Sequence, residues 1–239
     1  MPLPKIATPT YELELPSTGK SIKYRPFLVK EEKVLVIALE SEDTKQITNA
    51  IKAVLKNCVL TKGIKVETLP TFDIEFLFLN IRGKSVGEEI EVNIVCPDDG
   101  ETNVPVFIDL DSIQVERSDD HTNQIKLDDD LMMEMKYPSL EQFIKNNFDF
   151  QEGNQMDQSF ELIATCIDKI YNEDEVWATA DCTKKEVKDF LESMNSSQFK
   201  EIEKFFESMP KLKHTIEVTN PNTKVKSEVV LEGLASFFG

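Results

Sequence analysis

The chain has 239 residues, of which 40% are hydrophobic, so it can bury a sizeable core as one large domain or two small ones. Its formal net charge is −17, from 27 Lys and Arg against 44 Asp and Glu; such a surface repels phosphate backbones and argues against nucleic acid as a partner. In many proteins a large net charge serves only solubility. The alternative is that the acidic surface binds a basic protein partner.

The sequence contains no pattern typical of export or of a membrane segment. The N-terminal stretch MPLPKIATP lacks the apolar region of a signal peptide, and no apolar run approaches the ~18 residues of a membrane helix. The four cysteines lie far apart, which is typical of buried thiols in a reducing compartment rather than of a disulfide framework. We therefore expect a cytoplasmic protein.

The N-terminal part predicts an extended arm, a hairpin and two helices. Three prolines favour an extended arm over residues 1–9, and alternating apolar and polar residues predict a β-hairpin over residues 11–24. A helix then begins near Glu31, and the apolar run of residues 34–39 is predicted to be buried. Residues 47–58 place their apolar side chains on one face, which predicts a second, amphipathic helix.

Residues 69–82 predict a central helix around which the rest of the chain is organised. Apolar side chains occupy most of its positions, and the few polar ones form one narrow strip. A helix that is apolar nearly all round must be covered by protein on most of its sides. We expect this helix to be broken by Gly83, Ser85 and Gly87.

A second hairpin is predicted over residues 88–110, with its turn at CPDDG. Two more strands are expected after it, joined by an acidic connection. From residue 98 to residue 134 the only basic side chains are Arg117 and Lys126, so we expect an acidic patch or a mobile loop in that part of the chain.

The C-terminal part predicts helices followed by a third hairpin. A short helix is expected from Leu140, and a loop with a domain boundary at residues 146–154. Three amphipathic helices are predicted over residues 156–170, 183–194 and 199–209. Residues 171–181 favour irregular or partly extended structure, and the third hairpin follows Pro210, with its turn at residues 220–223.

The second and third hairpins share alternating strands joined by a proline-containing turn, CPDDG in one and TNPNT in the other. Two such hairpins form a zinc ribbon when each turn supplies C-x-x-C. Here the four positions are Cys96, Asp99, Thr219 and Asn222, a set that is too poor in thiols to close a tetrahedral zinc site. We predict that the hairpins lie together without metal; the alternative is two unrelated hairpins.

These elements together predict an α+β fold. It has an N-terminal hairpin and helices around a buried central helix, two zinc-ribbon-like hairpins without metal, and a helical C-terminal part. The predicted domains are residues 1–137, an α+β domain with the first ribbon-like hairpin, and residues 138–239, a helical domain with the other ribbon-like hairpin and an apolar tail.

No pattern in the sequence predicts an enzyme, a cofactor or a small-molecule substrate. His121 and His214 stand alone, without a partner at a spacing known from catalytic families, and no P-loop or dinucleotide-binding fingerprint occurs. Glu31 and Glu32 are adjacent, so on a helix they point in different directions and make a poor acid–base pair. The helices around Asn195 superficially resemble a helix-turn-helix, but the second is too acidic to read DNA.

The last predicted helix and the tail carry more aromatic side chains than such short segments need for their own burial. Exposed aromatic groups often anchor protein interfaces. The candidate partner-binding residues are Phe205, Phe206, Leu234, Phe237 and Phe238. The alternative for the tail is that it docks onto the chain's own third hairpin.

Several charged residues border the most apolar segments, where an unpaired charge is costly. We predict that they form a buried or half-buried structural cluster; the alternative is a partner-binding surface. The predicted members are Arg25, Glu31, Glu32, Asp73 and Arg82.

Three strings resemble the baseplate family of T-even-type tailed phages: PSTGKSIKYRPFLVKEEKVLVIALES, LPTFDIEFLFLNIRGKSVGE and FFESMPKLKHTIEV…LEGLASFFG. That family includes baseplate hub subunits and a hub assembly catalyst. The resemblance covers nearly the whole chain and implies a phage protein made in the host bacterial cytoplasm, which helps to build the central hub of a contractile-tail baseplate. Relatives often carry C-x-x-C turns, whereas this chain keeps only Cys96.

Two classes of function follow from the residues and the resemblance. The first is a structural protein of the virion that binds other hub proteins, or a transient assembly chaperone that is absent from the mature virion. The second is a cell-wall hydrolase, which would need a pair of carboxylates or a metal in a cleft. The missing catalytic residues favour the first class.

Overall fold

The computed structural model describes residues 6–41, 43–142, 155–233 and 236. Helices and small antiparallel sheets are mixed along this part of the chain, which confirms the predicted α+β class. The helices are α1 (Val29–Glu40), α2 (Thr44–Cys58), α3 (Thr71–Val86), α4 (Gln155–Cys166), α5 (Lys184–Glu192) and α6 (Ser196–Ser208).

Within the described ranges the strands are short and pair in four antiparallel sheets, in the orders β1-β2, β3-β4, β11-β10-β5 and β6-β7-β8-β9. They are β1 (Tyr11–Glu14), β2 (Ser21–Tyr24), β3 (Glu89–Val95), β4 (Asn103–Asp109), β5 (Gln114–Glu116), β6 (Gln124–Lys126), β7 (Met132–Met135), β8 (Ile167–Tyr171), β9 (Val176–Ala178), β10 (Lys211–Thr219) and β11 (Lys226–Glu232). The three predicted hairpins are therefore present, as β1-β2, β3-β4 and β10-β11.

The central helix α3 is covered on most of its sides, as its sequence predicts. The residues buried along it are Thr71, Phe72, Asp73, Ile74, Phe76, Leu77, Leu79, Ile81 and Gly83. The prediction that Gly83 breaks the helix is wrong, because α3 continues to Val86. At Gly83 the helix packs closely on Leu110, whose Cδ1 would lie 3.4 Å from an added Cβ. The chain leaves the helix at Gly87, whose φ of 148° is one that side chains rarely allow.

The predicted helix over residues 156–170 is also corrected. Helix α4 ends at Cys166, and the next residues form strand β8, where Ile170 pairs with Met133 and Lys169 with Glu134. The Lys169–Glu134 pair is also an ion pair of 3.0 Å. Isoleucine suits a half-buried strand as well as a helix, so tertiary pairing decides its conformation here.

The described residues form two hydrophobic cores, and each contains side chains from before and after residue 137. The first surrounds α3 and includes Leu212, Val218 and Leu231 from the β10-β11 hairpin. The second lies among α4, α5, α6 and the four-stranded sheet, and it includes Ile125 and Met133. The division of the chain at residue 137 stays a prediction, and side chains on either side of that residue share both cores.

Candidate partner-binding surfaces

The turns of the β3-β4 and β10-β11 hairpins contact each other, as their shared pattern predicted. The Asn220 amide nitrogen donates to both carboxylate oxygens of Asp98, at 3.1 Å each, and to Asp99 Oδ2 at 2.8 Å. Nearby, Asn222 Nδ2 donates to Thr102 Oγ1 at 3.1 Å. Asn220 is 1% exposed, so a buried amide joins two turns about 120 residues apart in the sequence.

Two of the four positions that a zinc ribbon would use, Asp99 and Asn222, have side-chain hydrogen bonds in this chain. Asp99 accepts bonds from the backbone N–H of Glu101 and of Thr102, both at 3.0 Å, besides the bond from Asn220. Among the described residues no group of three or more His, Cys, Asp or Glu side chains is placed to hold a metal ion. Hydrogen bonds thus connect the turns, and metal-free folding stays a prediction.

Part of the predicted charge cluster forms at the start of α1. Arg25 Nη2 donates to Glu31 Oε1 at 2.8 Å, and the backbone N–H of Leu28 donates to Glu31 Oε2 at 2.7 Å. Burial opposes the ionisation of Glu31, but the bonds from Arg25 and Leu28 outweigh it and hold the pKa of this carboxyl below its usual value. Glu31 therefore caps α1 and anchors it to the end of β2.

The other predicted members lie elsewhere. Asp73 is fully buried on α3 and accepts bonds from the backbone N–H of Ser17, at 2.9 Å, and from the Ser17 hydroxyl. Burial raises the pKa of Asp73, against the effect of those two bonds. Arg82 is half-buried on α3, whereas Glu32 is exposed on α1 and so lies outside any buried cluster. Glu31 and Asp73 are thus buried in separate contacts, and the predicted cluster of all five residues stays a prediction.

His121 is held in a packed polar contact. Its Nδ1 lies 2.9 Å from Ser208 Oγ, its Nε2 lies 2.9 Å from the Tyr137 hydroxyl, and its ring packs on Phe205. Ser208 donates its own proton to the carbonyl of Lys204, so it accepts from His121 and is not activated as a nucleophile. Burial, with a smaller effect of a nearby positive charge, lowers the pKa of His121.

The aromatic candidates on α6 contribute to the second core. Phe205 is 2% exposed and Phe206 is half-buried, and their rings pack edge to face with centroids 5.2 Å apart. The structure thus places Phe205 inside the protein and not on a surface that a partner can reach. The candidates Leu234, Phe237 and Phe238 lie outside the described residues.

Helix α1 presents apolar side chains to solvent, contrary to the prediction that residues 34–39 are buried. Only Glu31, Leu35 and Ala38 of this helix are buried. The exposed apolar residues in and beside α1 are Leu28, Val29, Val34, Val36, Ile37 and Leu39. We call these six the α1 apolar surface. They are six of the fifteen exposed large hydrophobic residues in the described part of the chain.

Charge is distributed unevenly along the chain. Residues 1–65, which include α1 and α2, carry eleven Lys and Arg against seven Asp and Glu, whereas residues 66–239 carry sixteen against 37. The predicted acidic patch contains exposed aspartates at positions 119, 120 and 128–130. The α1 apolar surface thus belongs to the net positive part of an acidic protein.

A cleft of about 670 Å³ lies beside α4 and α5. Lys136, Thr165, Thr179, Cys182 and Lys188 contribute to its lining. Among its described lining residues Glu161 is the single carboxylate, and glycoside hydrolysis needs two. The described part of this lining does not supply the acid–base pair of a cell-wall hydrolase.

No helix in the described ranges is long and apolar enough to cross a membrane.

The family model described as T4 bacteriophage base plate protein matches residues 8–239. The chain belongs to this family. No curated protein and no solved structure matches it. As a phage baseplate protein it works among other baseplate proteins in the tail of the virion. Its exposed apolar side chains therefore lie where other baseplate proteins are available for contact.

Sequence reasoning missed the α1 apolar surface and the bonds of His121. The signal for the first was present, because α1 has apolar residues on all sides, as α3 does. Composition cannot tell whether such a helix is covered by its own chain or by a partner. His121 meets Ser208 from 87 residues away, and no local pattern indicates that contact.

Proposed function

We propose that this baseplate protein is a component of the baseplate hub, which binds other hub proteins during assembly and performs no catalysis. The observation that carries the proposal is the α1 apolar surface on a member of a baseplate family. Exposed apolar side chains that gather on one element often mark a contact with a partner.

The chemistry of the described residues supports binding rather than catalysis. Burial raises the pKa of Cys58 to about 11 and that of Cys166 to about 12, so neither thiol supplies a thiolate at neutral pH. His121 has both ring nitrogens engaged, and the carboxyl of Asp73 is fully buried against Ser17. These groups are engaged with structural partners.

Co-purification tests the proposal. The tagged chain is co-expressed with each hub protein of the same phage in turn, and we expect at least one stable complex that survives size-exclusion chromatography. Mass spectrometry of purified tails then distinguishes a hub subunit, which is retained, from an assembly chaperone, which is absent. Turnover of peptidoglycan by the purified chain, at a rate above that of the heat-treated protein, would contradict the non-catalytic role.

A further inference from the structure

We propose that the outer face of the β3-β4 hairpin binds a segment of another baseplate protein that carries arginine and lysine side chains, with one of these cations over the Phe107 ring. This inference rests on the proposed function, and it names a second binding surface and the chemistry of its partner. Side chains alternate between the two faces of a hairpin, and burial along β3 and β4 alternates accordingly. The outward residues that we call the acidic hairpin face are Glu89, Glu91, Val95, Pro105, Phe107 and Asp109.

Phe107 lies among three carboxylates. In the strand register Glu91 is directly opposite Phe107, Glu89 is its diagonal neighbour, and Asp109 is the next outward residue on the same strand. Directly opposite side chains have Cβ atoms about 4.5–5.5 Å apart, and diagonal neighbours lie within about 7–8 Å. Phe107 is 63% exposed, so its ring is open to solvent beside these carboxylates. This arrangement fits a cation, because the face of an aromatic ring and a carboxylate both attract positive charge.

The acidic charge of this face is not cancelled within the described part of the chain. Between Lys84 and Arg117 the sequence contains nine Asp and Glu residues and no Lys or Arg. Lys84 itself is held by Glu88 and, at 3.0 Å, by Asp111. No ion pair joins Glu89 or Glu91 to another described residue. The face therefore keeps its negative charge available for a partner.

The pairing of Glu89 with Asp109 also points to a cation from outside the chain. These two residues are directly opposite each other, and like charges in that position destabilise a hairpin. The β10-β11 hairpin contains a similar pair, Glu217 opposite Glu228, but there Lys226 pairs with Glu217 at 2.7 Å. The β3-β4 hairpin contains no lysine or arginine, so a basic partner is needed to relieve its repulsion.

The geometry favours a protein segment over a single metal ion. Among the described residues no three His, Cys, Asp or Glu side chains are placed to hold one ion. The carboxylates of the acidic hairpin face lie along two strands instead, where outward side chains follow one another about every 7 Å. Alternate side chains of an extended segment have the same spacing. Arginine suits both contacts, because its planar guanidinium stacks on aromatic rings and pairs with carboxylates.

The test of charge compares two matched double variants. Glu89→Gln with Glu91→Gln removes two exposed carboxylates from the acidic hairpin face, and Glu217→Gln with Glu228→Gln removes two from the outer face of β10-β11. Each variant is titrated against each other baseplate hub protein of the same phage at several salt concentrations. We expect the first double variant to weaken one complex by about tenfold and to reduce its dependence on salt, and the second to leave both unchanged.

The test of the aromatic contact uses the same titration. Phe107→Ala should weaken the complex by about threefold to thirtyfold, the range of a cation–π contact. The control is Val230→Ala, which shortens a side chain that is 53% exposed on the outer face of β11 and should leave binding unchanged.

Glu89→Gln alone separates binding from folding. It removes the repulsion with Asp109, so the thermal midpoint of the free chain at low salt should rise while binding weakens. A lower midpoint would overturn the argument from repulsion. Equal binding by the unaltered chain, the first double variant and Phe107→Ala would overturn this binding face and leave the proposed function intact. Self-association that the first double variant abolishes would replace the baseplate partner by a second copy. Failure of the unaltered chain to bind any hub protein would overturn the proposed function itself.

Discussion

Replacement of Asn220 by Ala should destabilise the protein more than any other change in the two hairpin turns. The Asn220 amide nitrogen donates to Asp98 and Asp99, and its oxygen accepts from the backbone N–H groups of Asn222 and Thr223, at 2.8 and 3.3 Å. Each hydrogen bond to a charged group contributes about 1.5–3 kcal/mol. Because both aspartates are exposed and water can replace the lost donor, we expect the free energy of unfolding to fall by about 2–3 kcal/mol in total.

Asn222→Ala is the matched control for this prediction. Asn222 lies in the same turn, is exposed, and donates one neutral bond, to Thr102. Removal of this bond should lower the free energy of unfolding by no more than about 0.5–1 kcal/mol. Urea unfolding followed by circular dichroism gives both values from the shift in midpoint at constant slope. Equal losses for the two variants would refute the claim that Asn220 is the main link between the hairpins.

The same link has a dependence on pH. Bonds from Thr223 and Asn220 hold the pKa of Asp98 below its usual value. A carboxyl with a lowered pKa in the native state stabilises the fold above its unfolded pKa of about 3.9, and that stabilisation is lost as the pH falls through the lower native value. The difference in unfolding free energy between the unaltered chain and Asn220→Ala should therefore shrink in that acidic range.

Three further predictions concern other parts of the molecule. Asp73→Ala should lower the free energy of unfolding, measured with urea, by about 3 kcal/mol, because it leaves the Ser17 N–H without its acceptor. Asp73→Asn should lower it by less, because the amide keeps an acceptor oxygen, and equal losses for the two variants would contradict this. Burial lowers the pKa of His121, so its neutral form stabilises the fold above about pH 6.5 and the thermal midpoint should fall below that pH. If a His121→Gln variant showed the same fall, His121 would not be its cause. Truncation after Gly233 should leave folding intact and weaken capture of hub proteins if the tail is an anchor; normal capture would exclude that role.

The elements with a clear local period were predictable from the sequence. The strands of the three hairpins alternate, and their turns contain the residues that turns require, so both their existence and the meeting of the second and third hairpins followed from the pattern. The sequence predicts a helix over residues 167–170, because their isoleucines fit a helical period as well as a strand, whereas the structure pairs them with β7. Their pairing with β7 lies beyond the reach of a local pattern.

The site was less predictable than the fold. The sequence indicated that charges lie near the apolar segments, and Glu31 and Asp73 are indeed buried. It could not assign their partners, because Ser17 lies 56 residues from Asp73. For α1 the apolar run predicts a buried helix, because hydrophobicity indicates only that a surface is covered by protein. Whether that cover is the same chain or another protein depends on the assembly.

Crosslinking during assembly tests the central claim that this protein works by binding other hub proteins. Lys30 and Lys33 lie on α1, beside the α1 apolar surface, and both side chains are exposed, so both can react with an amine-specific crosslinker. Mass spectrometry of the tagged chain from infected cells should identify peptides that join these lysines to a baseplate hub protein. Abundant crosslinks within the chain and none to any hub protein would contradict the account.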